Sequence, residues 1–390
     1  MKSRLDAKIA KLNIAIVTHI FASGPALDLE VFLQDKAKSL LFIGHPFSFT
    51  KDQSSFYRIY LKGELKKNHT APPFKLPSVF LYIKEIILTF FWILIQKEKI
   101  DLYIGSDGYS AYIGLLLKKL GKVNHVILYT IDYVPNRFKN PILNYLYHYF
   151  DKQCLKECRI IWNVSPAMVT AREDVKSLYQ KNLSPQIIVP LGVWYDRIPR
   201  LKLSEKNGNS LIYMGHLIEK QGIDLIINAL PFVVKENPSI TLTIVGTGSQ
   251  EDALKLLVKK RKLSKVVEFK GYVKSHKEVE ALISQATIGL AMYKPVPENY
   301  TYFADPGKLK NYLAAGVPVI LTDVPPIAKA LEKNKCAVIS EYDPKKLSKV
   351  ILKLIDDKKM LKLYSDNAII FAKNYDWNDI FEKALSASIK

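Results

Sequence analysis

Apolar residues recur along this chain in short unbroken runs, separated by glycine or polar turns and then by helical stretches. In the first half the runs are Asn13–Thr18, Leu40–Ile43, Asp101–Gly105, Val126–Thr130, Ile160–Val164 and Ile187–Val189. Runs of this length, rich in Ile and Val and without alternation, are what strands buried on both faces of a parallel sheet require. Leu201–Ser210 is polar, contains Asn-Gly and reads as a linker. The pattern then resumes with Leu211–Met214, Thr241–Val245, Val266–Phe269, Ile288–Met292, Pro318–Leu321 and Cys336–Ile339. Helical stretches lie between them at Ile223–Val234, Glu251–Lys262, Lys277–Ser284, Lys308–Ala314 and Pro326–Lys333. This alternation predicts an α/β protein of two tandem Rossmann-like, doubly wound parallel-sheet domains. The first spans 1–195 and is joined by a C-terminal helix at 376–390; the second spans 203–370. In open sheets of this kind ligands bind beyond the carboxyl ends of the strands, so a cleft between the domains is the expected site.

Composition narrows the picture. The 390 residues, 48% hydrophobic and 24% charged, supply two ordinary cores and exclude disordered or fibrous classes. Three cysteines make no disulfide framework, which points to a reducing compartment. Residues 1–195 carry 26 basic and 15 acidic side chains and residues 196–390 carry 31 and 22, so the formal charge of +20 coats both halves. Such a surface attracts phosphorylated ligands, anionic lipid or nucleic acid.

The opening residues imitate a secretory leader, but Asp6, Asn13, Thr18 and His19 interrupt it and a buried strand over Leu12–Thr18 fits better. Val79–Ile95 is the other apolar stretch. Lys84 and Glu85 cut it to half of the roughly 20 residues a spanning helix needs. A core helix is expected there, with an in-plane membrane helix as the alternative, given its aromatics and the flanking Lys97 and Lys99.

The densest chemical signal is Ala304–Asp323, ADPGKLKNYLAAGVPVILTD. Asp305 as N-cap and Pro306 at the first helical position predict a helix start. Gly307 permits close backbone approach, and Lys308 adds a cation to the free N–H groups, which together make a phosphate site. Asn311, one turn on, is placed to bond a ribose or sugar hydroxyl. Three more loops follow strands in the same half. Gly215–Gly222 brings His216 and Lys220 to an anion, Gly246-Thr247-Gly248 is a second glycine turn, and Gly271-Tyr272-Val273 offers backbone to a base edge. Each alone is ordinary punctuation; four at strand carboxyl ends in one domain point to a nucleotide-type ligand.

These residues resemble the nucleotide-sugar domain of the family-4 glycosyltransferases, which have the GT-B architecture. The resemblance rests on Gly-basic-Leu at 215–217, Gly222, Val-Gly-x-Gly at 245–248, Phe-x-Gly at 269–271 and Lys-Leu-x-x-Tyr-Leu-Ala-Ala-Gly-x-Pro-Val at 308–319, about 130 residues in order. It implies a GT-B fold and a glycosyltransferase of hexosyltransferase type. Such an enzyme moves a sugar from a nucleoside-diphosphate sugar to a glycan or lipid-linked acceptor. Retention, no metal and no separate cofactor are also implied. The basic surface with the apolar stretch Val79–Ile95 points separately to a membrane-presented acceptor, in a cytoplasmic protein that is either soluble or peripheral on the anionic membrane face. The family's arginine and lysine on the donor diphosphate are here His216 and Gln221, with Lys220 one residue earlier. Its pair of glutamates falls on Phe303 and Asn311.

The first half matches the family at its opening strand and loop, at IDYVPNRF and at WNVS. The resemblance implies acceptor and catalytic groups there. Asp132 is either a structural turn aspartate or the acidic group that would orient the acceptor hydroxyl or stabilise an oxocarbenium ion. Arg137 is a phosphate contact or a solvated side chain, and Ser23-Gly24-Pro25 occupies the place of a glycine-rich loop beside the donor. His19 and His45 read as packed histidines rather than catalysts. Cys154, Cys158 and His148 have no usual zinc spacing. Lys259–Lys262 with Lys265 is a basic cluster whose simplest reading is a solvated helix end. Three alternatives remain: a relative that binds a nucleotide sugar or glycan without turnover, a nucleic-acid-binding protein suggested only by charge, and an epimerase or phosphorylase on the same fold.

Overall fold

The computed structural model describes residues 2–20, 24–47, 50, 52–73, 77–138, 140–173 and 183–389. The chain divides into two compact units, Met1–Pro190 with Trp377–Lys390, and Leu191–Asp376.

In unit 1 the strands are β1 (Asn13–Ile20), β2 (Ser39–Pro46), β3 (Phe56–Leu61), β4 (Glu64–Thr70), β5 (Ile100–Gly105), β6 (Val123–Thr130), β7 (Ile160–Asn163) and β8 (Gln186–Ile188). They form one sheet in the order β4-β3-β2-β1-β5-β6-β7-β8. The expected apolar runs supply the parallel part. The hairpin β3–β4 was not among them, and it pairs antiparallel onto β2. Its residues alternate or are wholly exposed because an edge hairpin buries at most one face. Lys62 and Gly63, at φ 49° and 87°, make its two-residue turn, which glycine favours. Helices α1 (Lys2–Ile9), α2 (Pro25–Leu33), α3 (Ser78–Leu94), α4 (Gly108–Lys119), α5 (Pro141–Glu157) and α6 (Pro166–Glu173) accompany these strands. One core packs Trp92 and Ile93 of α3, Ala111 and Leu115 of α4, and Cys154 and Leu155 of α5 against Ala15, Tyr103 and Val126 of the sheet. The thiols of Cys154 and Cys158 are buried and free.

Unit 2 contains β9 (Ser210–Met214), β10 (Thr241–Val245), β11 (Val267–Gly271), β12 (Ile288–Ala291), β13 (Val319–Leu321) and β14 (Ala337–Ile339). All pairs are parallel, in the order β11-β10-β9-β12-β13-β14. The order reverses between β9 and β12, the place at which a doubly wound sheet opens a ligand crevice. Helices α7 (Ile223–Glu236), α8 (Glu251–Lys260), α9 (His276–Gln285), α10 (Gly307–Ala314), α11 (Ala328–Lys333), α12 (Pro344–Asp356) and α13 (Lys358–Ala372) cover it. Two clusters fill the faces, one around Leu225, Ile244 and Ile351, the other around Leu309, Tyr312 and Ala368. The last helix, α14 (Trp377–Ser388), belongs to unit 1, where Phe381 meets Phe32 of α2 at 5.5 Å between ring centroids.

Candidate functional site

At the carboxyl end of β9 the chain turns through Gly215, at φ 140°. A Cβ there would lie 2.8 Å from Lys308 Nζ, so only glycine lets that amine approach the turn. Gly246 and Gly248 have another purpose. Side chains on them would strike the carbonyl oxygens of Gly215 and Leu217 at 2.0 and 2.4 Å. The two loops are laced by Gly215 N–H to Val245 O and Leu217 N–H to Thr247 O, both 2.9 Å. These glycines were expected at the donor; here they permit the Gly215 loop to be braced from behind.

Lys308, in the first turn of α10, points its amine to this turn. It donates to Gln221 Oε1 at 2.7 Å and Tyr213 Oη at 3.3 Å, and lies 4.4 and 5.3 Å from the ring centres of Tyr213 and Tyr293. No carboxylate is among these partners. Desolvation therefore pushes its pKa down from 10.5 to about 7. The His216 ring is partly desolvated, and this together with the nearby Lys308 lowers its pKa. A lysine held among neutral partners beside an N-terminal helical turn lacks a counter-charge, and a diphosphate would supply one. At Gly307 the nearest atom to a Cβ is Leu191 Cδ1 at 3.6 Å, ordinary contact, so the helix start is not packed shut.

Other residues assigned from sequence make contacts within unit 2, and one expectation is corrected. Asp305 is not the N-cap: α10 begins at Gly307 with Pro306 in the cap position and no side-chain cap. The Asp305 carboxylate is buried, accepting from Leu191 N–H at 2.8 Å and from Lys310, which has no exposed surface. A buried lysine needs that counter-ion, and the need overrides capping. Lys220 donates to the Glu298 carbonyl, while its own carbonyl accepts from Lys294 N–H and Asn299 Nδ2, so it fastens the 294–299 loop. Asn311 donates to the Gly307 carbonyl at 3.1 Å. Gly271 has φ 65° and its carbonyl accepts from Gly246 N–H at 2.8 Å; Tyr272 is exposed, and Val273 packs on the core. Tyr213 and Tyr293 were not among the residues assigned from sequence, and Gln221 was read only as a replacement for the family's lysine. Nothing in the neighbours of Tyr213 or Gln221 reveals that they meet an amine about 90 residues away.

In unit 1, Asp132 and Arg137 form an ion pair just beyond β6. Gly24 is the N-cap residue of α2, and a Cβ there would have open space; Ser23 lies outside the described residues. His19, at the end of β1, donates to Glu85 Oε2 and Asp107 Oδ2, each at 3.0 Å. Burial opposes its charge, but the two carboxylates prevail and raise its pKa from 6.5 to about 10. It is an imidazolium at neutral pH and has no lone pair with which to accept a proton. His45 differs. Its nitrogens meet Ser55 and Thr89, and burial holds it neutral.

Residues 195–370 match the family Glycosyl transferases group 1. The chain is 22% identical over 300 residues to an uncharacterised glycosyltransferase of Haemophilus influenzae, covering 74% of this chain and 76% of the relative. Among solved structures, sucrose-phosphate synthase of Thermosynechococcus elongatus superimposes with a TM-score of 0.70 at 14% identity, covering 97% of this chain and all of that one. Anabaena HepE, in complex with UDP-glucose, does so at 0.65 and 13%, covering 97% and 99%. Residues 195–370 thus match the group 1 glycosyl transferases, and the chain as a whole has the GT-B fold of these solved structures.

Proposed function

We propose that this glycosyltransferase belongs to family 4 and takes its sugar from a nucleoside-diphosphate donor. It passes the sugar to a glycan or lipid-linked hydroxyl with retention and without a metal ion. The observation that carries the donor assignment is Lys308: a cation without a carboxylate partner, at the Gly215 turn and the start of α10, where the order of the unit 2 sheet reverses. As the C1–O bond to the diphosphate breaks, negative charge grows on the leaving oxygen. Lys308 and the free N–H groups of α10 are fixed in place to stabilise it. The new C1–O bond forms to the acceptor hydroxyl, whose proton goes to the departing diphosphate. His19, already protonated, does not compete for it. Asp132, which pairs with Arg137, is assigned the role of orienting the acceptor, and Gly24 and Arg137 are assigned to the acceptor or phosphate.

The test is a panel of UDP-, ADP- and GDP-sugars, uridine first because HepE was solved with UDP-glucose, scored by thermal shift and by diphosphate release. One donor should stabilise the protein, and Lys308→Ala should abolish that shift. Asp132→Asn should keep donor affinity and slow transfer. Stabilisation without any diphosphate release favours the alternative of binding without turnover, to which the uncharged Gln221 and Asn311 lend weight.

A further inference from the structure

The two charges that interrupt the apolar stretch of α3 both turn inward. Glu85 has no exposed surface and accepts from His19; Lys84 donates to the Gln53 carbonyl at 2.8 Å. With Leu81, Thr89, Trp92 and Ile93 also buried, the opposite face is left to Phe80, Ile83, Ile87, Phe91 and Leu94, all between 47% and 61% exposed. Their spacing of three and four residues draws one uncharged stripe about 20 Å long at 1.5 Å per residue. A second stripe runs along α5, where Ile142, Tyr145, Leu146 and Tyr149 are 38–70% exposed. The helices bearing both stripes lie in one layer. Tyr82 of α3 meets Tyr109 of α4 at 5.4 Å, and Tyr109 meets Phe150 of α5 at 6.0 Å.

A soluble face rarely carries apolar surface in such continuous rows. We propose that this α3–α5 face lies on an anionic bilayer, with α3 in the interfacial plane. The choice of a membrane over a protein partner rests on charge. Exposed Lys97 and Lys99 follow α3 directly, and Lys122 is held beside them on the Gln96 carbonyl. The one acid among them, Glu98, is paired with Lys38. Apolar insertion flanked by lysines is the chemistry that anionic headgroups satisfy. Among the described residues no helix is long and apolar enough to cross a membrane, so the contact is peripheral.

The test is flotation of the full chain with phosphatidylcholine vesicles and with vesicles containing 30% phosphatidylglycerol. The wild type should float with the anionic vesicles, less so in high salt. Ile87→Asp/Phe91→Asp should reduce binding at least tenfold, and Lys97→Glu/Lys99→Glu should weaken it on anionic vesicles alone. Circular dichroism and the UDP-glucose thermal shift, read on the same variants, keep this test separate from the donor assignment. Ile87→Ser/Phe91→Ser is the milder pair should the aspartates unfold the protein. No flotation of the wild type, or equal flotation of a folded stripe variant, overturns the proposal. A wild-type dimer that the stripe variant dissociates, without vesicle binding, assigns the face to a second copy instead.

Discussion

Donor binding should be coupled to proton uptake at Lys308. In the free protein its pKa is about 7, so half of the molecules carry a neutral amine at pH 7 and about 1% a charged one at pH 9. A bound diphosphate replaces the missing counter-charge and returns the amine towards its ordinary value of 10.5. Only the charged form binds well, so affinity should fall as the free amine titrates. The limit is about 50-fold between pH 7 and 9, equal to about 2.3 kcal/mol. Because the side chain is half-buried and its partners can relax, about tenfold is the smallest loss the argument permits. The probe is the nucleoside-diphosphate sugar that stabilises the protein in the panel, since a diphosphate substituted at both ends has no titration in this range. Isothermal calorimetry at pH 8, in two buffers of different ionisation enthalpy, should find close to one proton taken up per ligand. The pKa of His216 is also lowered in the free protein, so the proton taken up is assigned to Lys308 by the Lys308→Met variant. Lys308→Met should bind weakly and with no pH dependence. Wild-type affinity constant within twofold from pH 6.5 to 9, or no net proton uptake, would refute the reasoning.

Further expectations concern stability. Asp305→Asn strands the Lys310 ammonium in the core and should cost about 3–5 kcal/mol by chemical denaturation, whereas Lys310→Met with Asp305→Asn should recover most of it. Gly222→Ala should be severely destabilising, because φ is 65° and a Cβ would lie 1.8 Å from the Met292 carbonyl; a change in midpoint under 1 °C would contradict the geometry. His19, with a folded pKa of about 10 above its unfolded 6.5, contributes stability that is full below pH 6.5 and lost as pH rises through 10. The melting-temperature gap between wild type and His19→Asn should therefore shrink from pH 6 to pH 10, and the His19 ring signals should not titrate in NMR spectra between pH 5 and 8.

The parallel strands were legible because a strand buried on both faces writes itself as an unbroken apolar run, as at Ile288–Ala291 and Val126–Thr130. The β3–β4 hairpin was not, since Glu64–Thr70 is exposed throughout and leaves no hydrophobic trace. The turn at Gly215 and the helix start before Lys308 were local signals of glycine and cation, readable within a few residues. What surrounds Lys308 is not local. Tyr213 and Gln221 reach it across about 90 residues, and Glu85 reaches His19 across 66. Lys310 misled for a statistical reason: lysines are almost always at the surface, so a buried one that claims Asp305 goes unseen until the packing is known.

His19 and Lys308 show how opposite uses of burial follow from the company each cation keeps. Both pay desolvation. His19 has two carboxylates at 3.0 Å, so its charge is settled within the protein and is unavailable for chemistry at neutral pH. Lys308 has an amide oxygen, a phenol and two aromatic faces, which solvate an ammonium poorly and leave most of the cost standing. Below pH 7 that cost is carried in full by the folded state, and it is relieved as pH rises towards 10.5, the reverse of the His19 linkage. A fold does not gain by keeping such an unbalanced charge. A donor site does, because an incoming diphosphate supplies the missing anion and recovers the deferred electrostatic energy at the oxygen that must leave. If Lys308→Met makes the ligand-free protein more stable at pH 6 and abolishes binding of the donor that the panel selects, the lysine serves the ligand rather than the fold. If Lys308→Met is less stable and binds as before, the reverse holds.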